Sequence, residues 1–194
     1  MTSKIIHSNT KVIICNSPPQ SGKDEMVKYL HNKYNVTHLA FKTKLIQLTK
    51  LIYNVSDKDW DDIYVSGKKD TPSILFDGKT ARQALIYVSE DVIKPKLGKE
   101  YFGKDAVKQL TPNIVNGFSD GGFKEEILEV VNTVGKDNCV IVRIARDGCN
   151  FSEDSRGYVT IDGVKRIDID NNGTLGKFHD QVEQIYRLIA NDKH

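Results

Sequence analysis

The sequence predicts an α/β fold, a doubly wound parallel sheet flanked by helices. Three observations carry that expectation. Residues 11–16 (KVIICN) and 138–144 (NCVIVRI) are short apolar runs rich in β-branched residues, as strands buried on both faces require. Segments with apolar residues at helical spacing alternate with such runs. A turn of Pro, Ser and Gly joins the first run directly to the first helical segment.

Taken in order, residues 11–16 form a buried strand ended by Ser17-Pro18-Pro19. Met26, Val27, Leu30 and Tyr34 space a helix over residues 24–34, and Leu45, Leu48 and Ile52 space a second over 41–53. Residues 54–79 are polar, contain Gly67 and Gly78, and read as a loop or insertion. Within them, Trp60 reads as a packing residue on an acidic segment. Thr80 and Gln83 have capping-box spacing and open a third helix, with Leu85, Val88 and Val92 on its apolar face. A short strand at 113–116 and an amphipathic helix at 123–134 precede the strand at 138–144. Residues 158–161 and 164–169 flank Asp162-Gly163, a hairpin signal. The last helix covers 174–190, with Leu175, Phe178, Val182, Ile185 and Ile189 on one face.

Composition narrows the function classes. At 194 residues the chain is expected to be a single domain, 1–194, large enough to bury a core without a metal or disulfide. Lys plus Arg exceed Asp plus Glu by only 28 − 26 = 2, which excludes a protein held to nucleic acid by bulk charge. No apolar run approaches the roughly 20 residues of a membrane span, and the polar start has no secretory apolar region, so no membrane partner is expected. Cys15, Cys139 and Cys149 are odd in number and form no CxxC, which argues against disulfides and structural zinc and for a reducing cytoplasm.

The sharpest motif is Ser17-Pro18-Pro19-Gln20-Ser21-Gly22-Lys23-Asp24, between the first strand and the first helix. Against G-x-x-x-x-G-K-[ST] it keeps Gly22 and Lys23, whereas Ser17 replaces the first Gly and Asp24 the magnesium-binding hydroxyl. Backbone N–H groups at a helix N-terminus can wrap a phosphate chain, with Gly22 permitting close approach and Lys23 reaching the β- and γ-phosphates. Pro19, Gln20, Ser21, Gly22, Lys23, Asp24 and Glu25 are therefore candidate ATP-binding residues. Asp24 is repulsive to triphosphate on its own; it either reaches Mg²⁺ through water or simply caps the helix. An ordinary strand–turn–helix junction with a solvated lysine is the plain alternative.

From this loop onward the chain resembles the phage deoxynucleoside monophosphate kinases, P-loop kinases related in fold to adenylate and dephospho-coenzyme A kinases. S-G-K-D after a strand is one shared feature; Ala40-Phe41 with Leu45 stands where that family has F-A-x-x-L. Thr80-Ala81-Arg82-Gln83-Ala84-Leu85 followed by Tyr101-Phe102-Gly103-Lys104-Asp105 resembles T-x-R-x-x-L … F-G-x-D. Ile169-Asp170-Asn171-Asn172-Gly173-Thr174-Leu175 resembles the turn N-x-G-[ST]-L before the final helix. The likeness runs in order over residues 11 to 190, and the order gives it weight. Two departures stand out. In Asp120-Gly121-Gly122-Phe123-Lys124-Glu125-Glu126, Gly122 replaces the arginine of D-x-R-F-x-x-E, and Ser89-Glu90-Asp91 replaces G-T-E.

The resemblance implies a P-loop nucleoside monophosphate kinase architecture, with an acceptor-binding insert at about 41–110 and a short lid at about 144–157. It implies that Arg82, in the first turn of a helix, binds the acceptor's phosphate, or else is a solvated arginine. Only six of the 28 Lys and Arg are arginine, the bidentate phosphate ligand, and Arg143, Arg146 and Arg156 fall within 14 residues. The resemblance makes this the lid, with Arg143 and Arg146 catalytic beside Lys23 and Arg82, and Arg156 on the acceptor; strand-end and surface ion-pair roles are the alternatives. Lys42, Lys44, Asp120 and Phe123 complete the acceptor side, although Asp120 is equally suited to capping a helix. Asn172 and Gly173 shape the adenine pocket or are a plain turn.

The expected function is transfer of the γ-phosphate of ATP to a (deoxy)nucleoside monophosphate, with ATP and Mg²⁺ as cofactors and Asp24 the candidate metal contact. The partner is the monophosphate substrate, stable nucleic-acid binding is not expected, and a homodimer is compatible with the resemblance. The setting is the cytoplasm, that of a host if the gene is viral. Two alternatives stand beside it: a kinase of another small phosphorylated acceptor such as dephospho-coenzyme A, and a nucleotide-binding protein that has lost catalysis.

Overall fold

A computed structural model describes residues 9–152 and 156–190, apart from the side chain of Val65. The chain divides into two compact units, one running through Phe41 and resuming at Gly103, the other Lys42–Phe102.

The first unit is built on five strands, all parallel: β1 (Lys11–Cys15), β2 (Thr37–Leu39), β3 (Val115–Phe118), β4 (Cys139–Ala145) and β5 (Lys165–Asp170). Their order is β2-β3-β1-β4-β5, so β1 lies at the centre. Side chains alternate across its pleat. Ile13 and Cys15 face a core shared with α1 (Lys23–Tyr34) and α8 (Leu175–Ala190), through Met26, Val27, Leu30, Phe178, Val182, Ile185 and Ile189. Val12 and Ile14 face the opposite core, with Phe118 and with Ile127, Val130 and Val131 of α7 (Lys124–Val134). Helices therefore cover both faces, which is why β1 and β4 are apolar except for Lys11 at the start of one and Arg143 near the end of the other. At roughly 25 cal/mol per Å² of apolar surface, each fully buried Ile, Leu or Phe here contributes on the order of 2 kcal/mol.

The order fixes where a ligand can sit. The connection leaving β1 runs to β2 on one side of the sheet, and that leaving β4 runs to β5 on the other. Neighbouring strands whose connections diverge leave a crevice at their carboxyl ends, the usual binding position in open α/β sheets. The segments that leave β1 at Asn16 and β4 at Arg146 begin at that crevice.

The second unit is helical. α2 (Lys42–Tyr53), α3 (Asp57–Trp60) with a π turn at Asp61–Val65, a 3₁₀ turn at Ile74–Phe76, and α4 (Ala81–Tyr87) enclose Val55, Trp60, Phe76, Ala81, Ala84 and Leu85. Trp60 stacks on Tyr64 and meets Phe76 edge-on, with ring centroids 4.9 and 6.0 Å away. The Thr80/Gln83 capping box is formed, with both reciprocal bonds present. A π turn at Val88–Ile93, α5 (Lys94–Leu97) and α6 (Tyr101–Val107) carry the chain back to β3.

Several expectations need correction. Residues 158–161 are not a strand and form no hairpin. Their alternation is real, since Val159 and Ile161 are buried and Tyr158 and Thr160 exposed. Side chains rather than a neighbouring strand satisfy the backbone: Val159 donates to Asn16 Oδ1 at 2.7 Å, and its carbonyl accepts Arg143 Nη2 at 2.9 Å. The Asp162-Gly163 turn does form, with Gly163 at φ +80°, but it leads into β5 parallel to β4. Residues 54–79 contain α3 and two further helical turns rather than plain loop. The strand expected at 113–116 lies at Val115–Phe118. Ile52 and Leu175, placed on apolar faces, are 47% and 57% exposed; Thr49 is the buried residue of α2.

Candidate functional site

The loop after β1 begins with two buried polar residues. Asn16 extends the β1–β4 ladder by donating its backbone N–H to Val142 O at 2.9 Å. Its side chain, 0% exposed, donates from Nδ2 to the carbonyls of Gly121 and Gly157, each at 2.9 Å, and accepts from Val159 N. Ser17, buried, accepts the backbone N–H of Ile144 on Oγ at 2.6 Å. Where the phosphate-loop pattern has its first Gly, this chain uses a hydroxyl to fasten the loop to the end of β4.

The loop then turns on two residues in the left-handed region, Gln20 at φ +62° and Gly22 at φ +113°. Gly22 is the residue at the start of α1, and no side chain caps that helix. A helix start whose N-cap residue brings no side chain leaves that position open to the approach of an anion. Ser21 is wholly buried and its Oγ has no hydrogen-bond partner, while its carbonyl accepts Asn171 Nδ2 at 2.8 Å. Lys23 is 8% exposed, and its Nζ donates to the Pro18 carbonyl, bridging the base of the loop. Asp24 is exposed in the first turn of α1, so the capping role is not its own. Pro19 is half-buried. Glu25 turns away to α8, where Oε1 lies 2.9 Å from His179 Nε2.

One further expected residue, Arg146, meets this loop, and Asn172 and Gly173 lie in the turn beside it. Arg146 donates from Nη1 to the Gln20 carbonyl at 3.0 Å. Asn172 accepts the Asp147 N–H on Oδ1 at 2.8 Å and donates to Asp170 Oδ1 at 2.7 Å, with exposed Gly173 beside it. The loop, residues 146–147 and residues 171–173 therefore line one edge, at the carboxyl ends of β1, β4 and β5. Arg143 belongs elsewhere: it donates to Val159 O and Thr160 Oγ1, and its guanidinium lies 4.7 Å above the Tyr158 ring.

On the β3 side, Asp120 Oδ1 accepts the Phe41 N–H at 2.8 Å. It is not the N-cap residue of α7, which is Phe123. The stem of Arg156 lies against Gly122. Of the expected lid, residues 153–155 lie outside the described residues. In the helical unit, Arg82 holds Asp70 through Nε at 2.7 Å and Nη2 at 3.4 Å, and the guanidinium keeps the Asp70 carboxyl below the usual range. Lys42 Nζ stands 5.8 Å over the Tyr64 ring, and Lys44 is half-buried in the first turn of α2.

Asn16 and Asn171 escaped the sequence reading. Asn16 ends an apolar run, where a polar residue signals only that a strand stops. Asn171 sits in the quoted turn, one residue before the pair singled out there. Burial pushes the Cys15 thiol up to about 12, so it is a core residue rather than a nucleophile.

Among the described residues no cluster of three His, Cys, Asp or Glu could hold a metal, and no helix is long and apolar enough to cross a membrane. A magnesium ion in phosphoryl transfer is held mainly by phosphate oxygens and water with one or two carboxylates, which the exposed Asp24 fits. The chain matches no protein-family model and no curated protein.

Proposed function

We propose that this protein is a deoxynucleoside monophosphate kinase of P-loop type, moving the γ-phosphate of ATP to a (deoxy)nucleoside monophosphate. The observation that carries the reading is the loop at residues 17–23. It follows the central strand at the diverging crevice, turns through Gly22 at φ +113°, and opens α1 with no side-chain cap. The amides of α1 cradle the β-phosphate, and Ser21 Oγ, buried without a partner, is available to a phosphate oxygen. Lys23 exchanges the Pro18 carbonyl for the β- and γ-phosphates and follows the migrating charge. Arg146, on the Gln20 carbonyl, adds a guanidinium beside the same loop. Mg²⁺, when bound, neutralises charge on the transferring group. Arg82 and Arg156 are assigned to the acceptor's phosphate, Lys42, Lys44, Asp120 and Phe123 to the acceptor side, and Asn172 and Gly173 to the adenine.

Asp24 favours a second reading. A carboxylate in place of the hydroxyl suits a protein that binds ATP without turning it over. A coupled assay of ADP release with dAMP, dGMP, dCMP, dTMP and 5-hydroxymethyl-dCMP separates the two. The kinase reading expects turnover with at least one, and ADP release independent of every monophosphate rejects it.

A further inference from the structure

Tyr158 is 54% exposed, yet the chain on both sides of it is fixed. Asn16 Nδ2 donates to the Gly157 carbonyl before it, and Asn16 Oδ1 accepts the Val159 N–H after it. Arg143 Nη2 adds bonds to the Val159 carbonyl and the Thr160 hydroxyl. The ring itself is braced twice. The Arg143 guanidinium lies over one face, 4.7 Å from the centroid, and Phe151 meets the ring edge-on at 5.0 Å. Arg143 Nε is buried with no hydrogen-bond partner among the described residues. The guanidinium is thus engaged with this ring and the 159–160 segment rather than turned towards the loop after β1. A ring that has a cation under one face and remains more than half exposed presents its other face to solvent. Its rotamer is settled before any ligand arrives, which lowers the entropic cost of stacking on it.

We propose that the open face of Tyr158 stacks on the base of the monophosphate, with Arg143 as the positioning residue beneath the ring. This rests on the kinase reading and deepens it by naming a residue that holds the acceptor's base. The placement favours the acceptor over ATP. The Asn16 amide that fixes Gly157 also donates to Gly121 O, which ties Tyr158 to the segment after β3. Asn172 and Gly173, assigned to the adenine, follow β5, and β3 and β5 lie on opposite sides of β1. Every base has a π-face, so stacking on a tyrosine adds affinity without choosing strictly among bases.

The test is calorimetric titration of the wild type, Tyr158→Leu and Tyr158→Phe with ADP and with the same five monophosphates. Leucine removes the π-face and keeps apolar bulk, whereas phenylalanine keeps the face and removes only the hydroxyl. Because Tyr158 is exposed, both variants are expected to keep the wild-type melting transition. Tyr158→Leu is expected to weaken the best-bound monophosphate roughly tenfold and Tyr158→Phe less than about threefold, with ADP affinity within about twofold of wild type. Unchanged monophosphate affinity in Tyr158→Leu overturns the stacking and leaves the kinase reading standing. So does an equal loss for ADP and monophosphate, or a loss in Tyr158→Phe as large as in Tyr158→Leu, which traces the effect to the hydroxyl. A wild type that binds ADP and none of the five monophosphates removes the kinase reading, and the role of Tyr158 with it.

Discussion

Asn171 occupies the space that a side chain on Gly22 would need: a Cβ there would lie 2.5 Å from Asn171 Nδ2. The same nitrogen donates to Ser21 O at 2.8 Å, so the turn after β5 closes down on the loop after β1. The loop is therefore shaped from two sides, by Asn171 above Gly22 and by Ser17 bonded to Ile144.

Gly22→Ala meets two obstacles, the positive φ and the Asn171 amide. The backbone strain alone costs on the order of 1–3 kcal/mol. The variant is expected to melt several degrees lower and to lose nucleotide binding at least tenfold. Gly22→Ala with Asn171→Ala should recover only part of this, since the strain at φ +113° remains. Thermal melts and ADP titrations of both variants check it.

Asn16→Ala leaves the carbonyls of Gly121 and Gly157 and the N–H of Val159 without their buried partner. Orphaned buried groups cost about 1–3 kcal/mol each, although water can relieve some of them. A net loss of about 3 kcal/mol would lower Tm by roughly 6–12 °C in a chain of this size. Asn16→Asp keeps the acceptor for Val159 but loses both donors, and is expected to fall at least as far. Differential scanning calorimetry reads both.

The α1–α8 packing carries an acid-sensitive contact. Lys33 donates to Glu183 Oε1, and Tyr29 Oη donates to the same oxygen at 2.5 Å. These bonds hold the Glu183 carboxyl down at about 2, against an ordinary value of 4.5. The folded state thus favours the ionised carboxylate. The stability this gives is present in full above about pH 4.5 and is lost as the pH falls towards 2. Glu183→Gln should flatten the dependence of denaturant stability on pH between 5 and 2, which urea titrations across that window measure.

Arg82 is bidentate on Asp70, so under the proposed kinase function an acceptor's phosphate would replace or share that carboxylate. Arg82→Lys keeps the charge and loses the fork. It is expected to raise KM for the monophosphate about tenfold while leaving KM for ATP within twofold, as steady-state kinetics with each substrate varied will show.

Legibility followed the strength of the local signal. The apolar runs of β1 and β4 and the stripes of α1, α7 and α8 are read from spacing because burial on a fixed period leaves few alternatives. The Thr80/Gln83 box was readable because its chemistry is local. β2 escaped because Thr37–Leu39 is three residues long and includes an exposed histidine. The false hairpin arose because Val159 and Ile161 alternate like a strand while their segment bonds to Asn16 and Arg143, residues 143 and 16 positions away. At the site, the loop and Arg146 came from pattern. The support from Asn16, Ser17 and Asn171 did not, because a lone polar residue in sequence does not declare its distant partner. Gly122 reads as a missing arginine in the sequence; the fold places Arg156 against it.

The central claim is phosphoryl transfer from the loop that Lys23 closes. The most direct measurement follows the label of γ-³²P-ATP in the presence of each monophosphate, with products separated by chromatography. Wild type is expected to yield labelled diphosphate from at least one acceptor, and Lys23→Ala to lose on the order of 10²–10³-fold in rate while keeping its melting transition. Label that remains on ATP, or leaves only as inorganic phosphate with every acceptor, would contradict it.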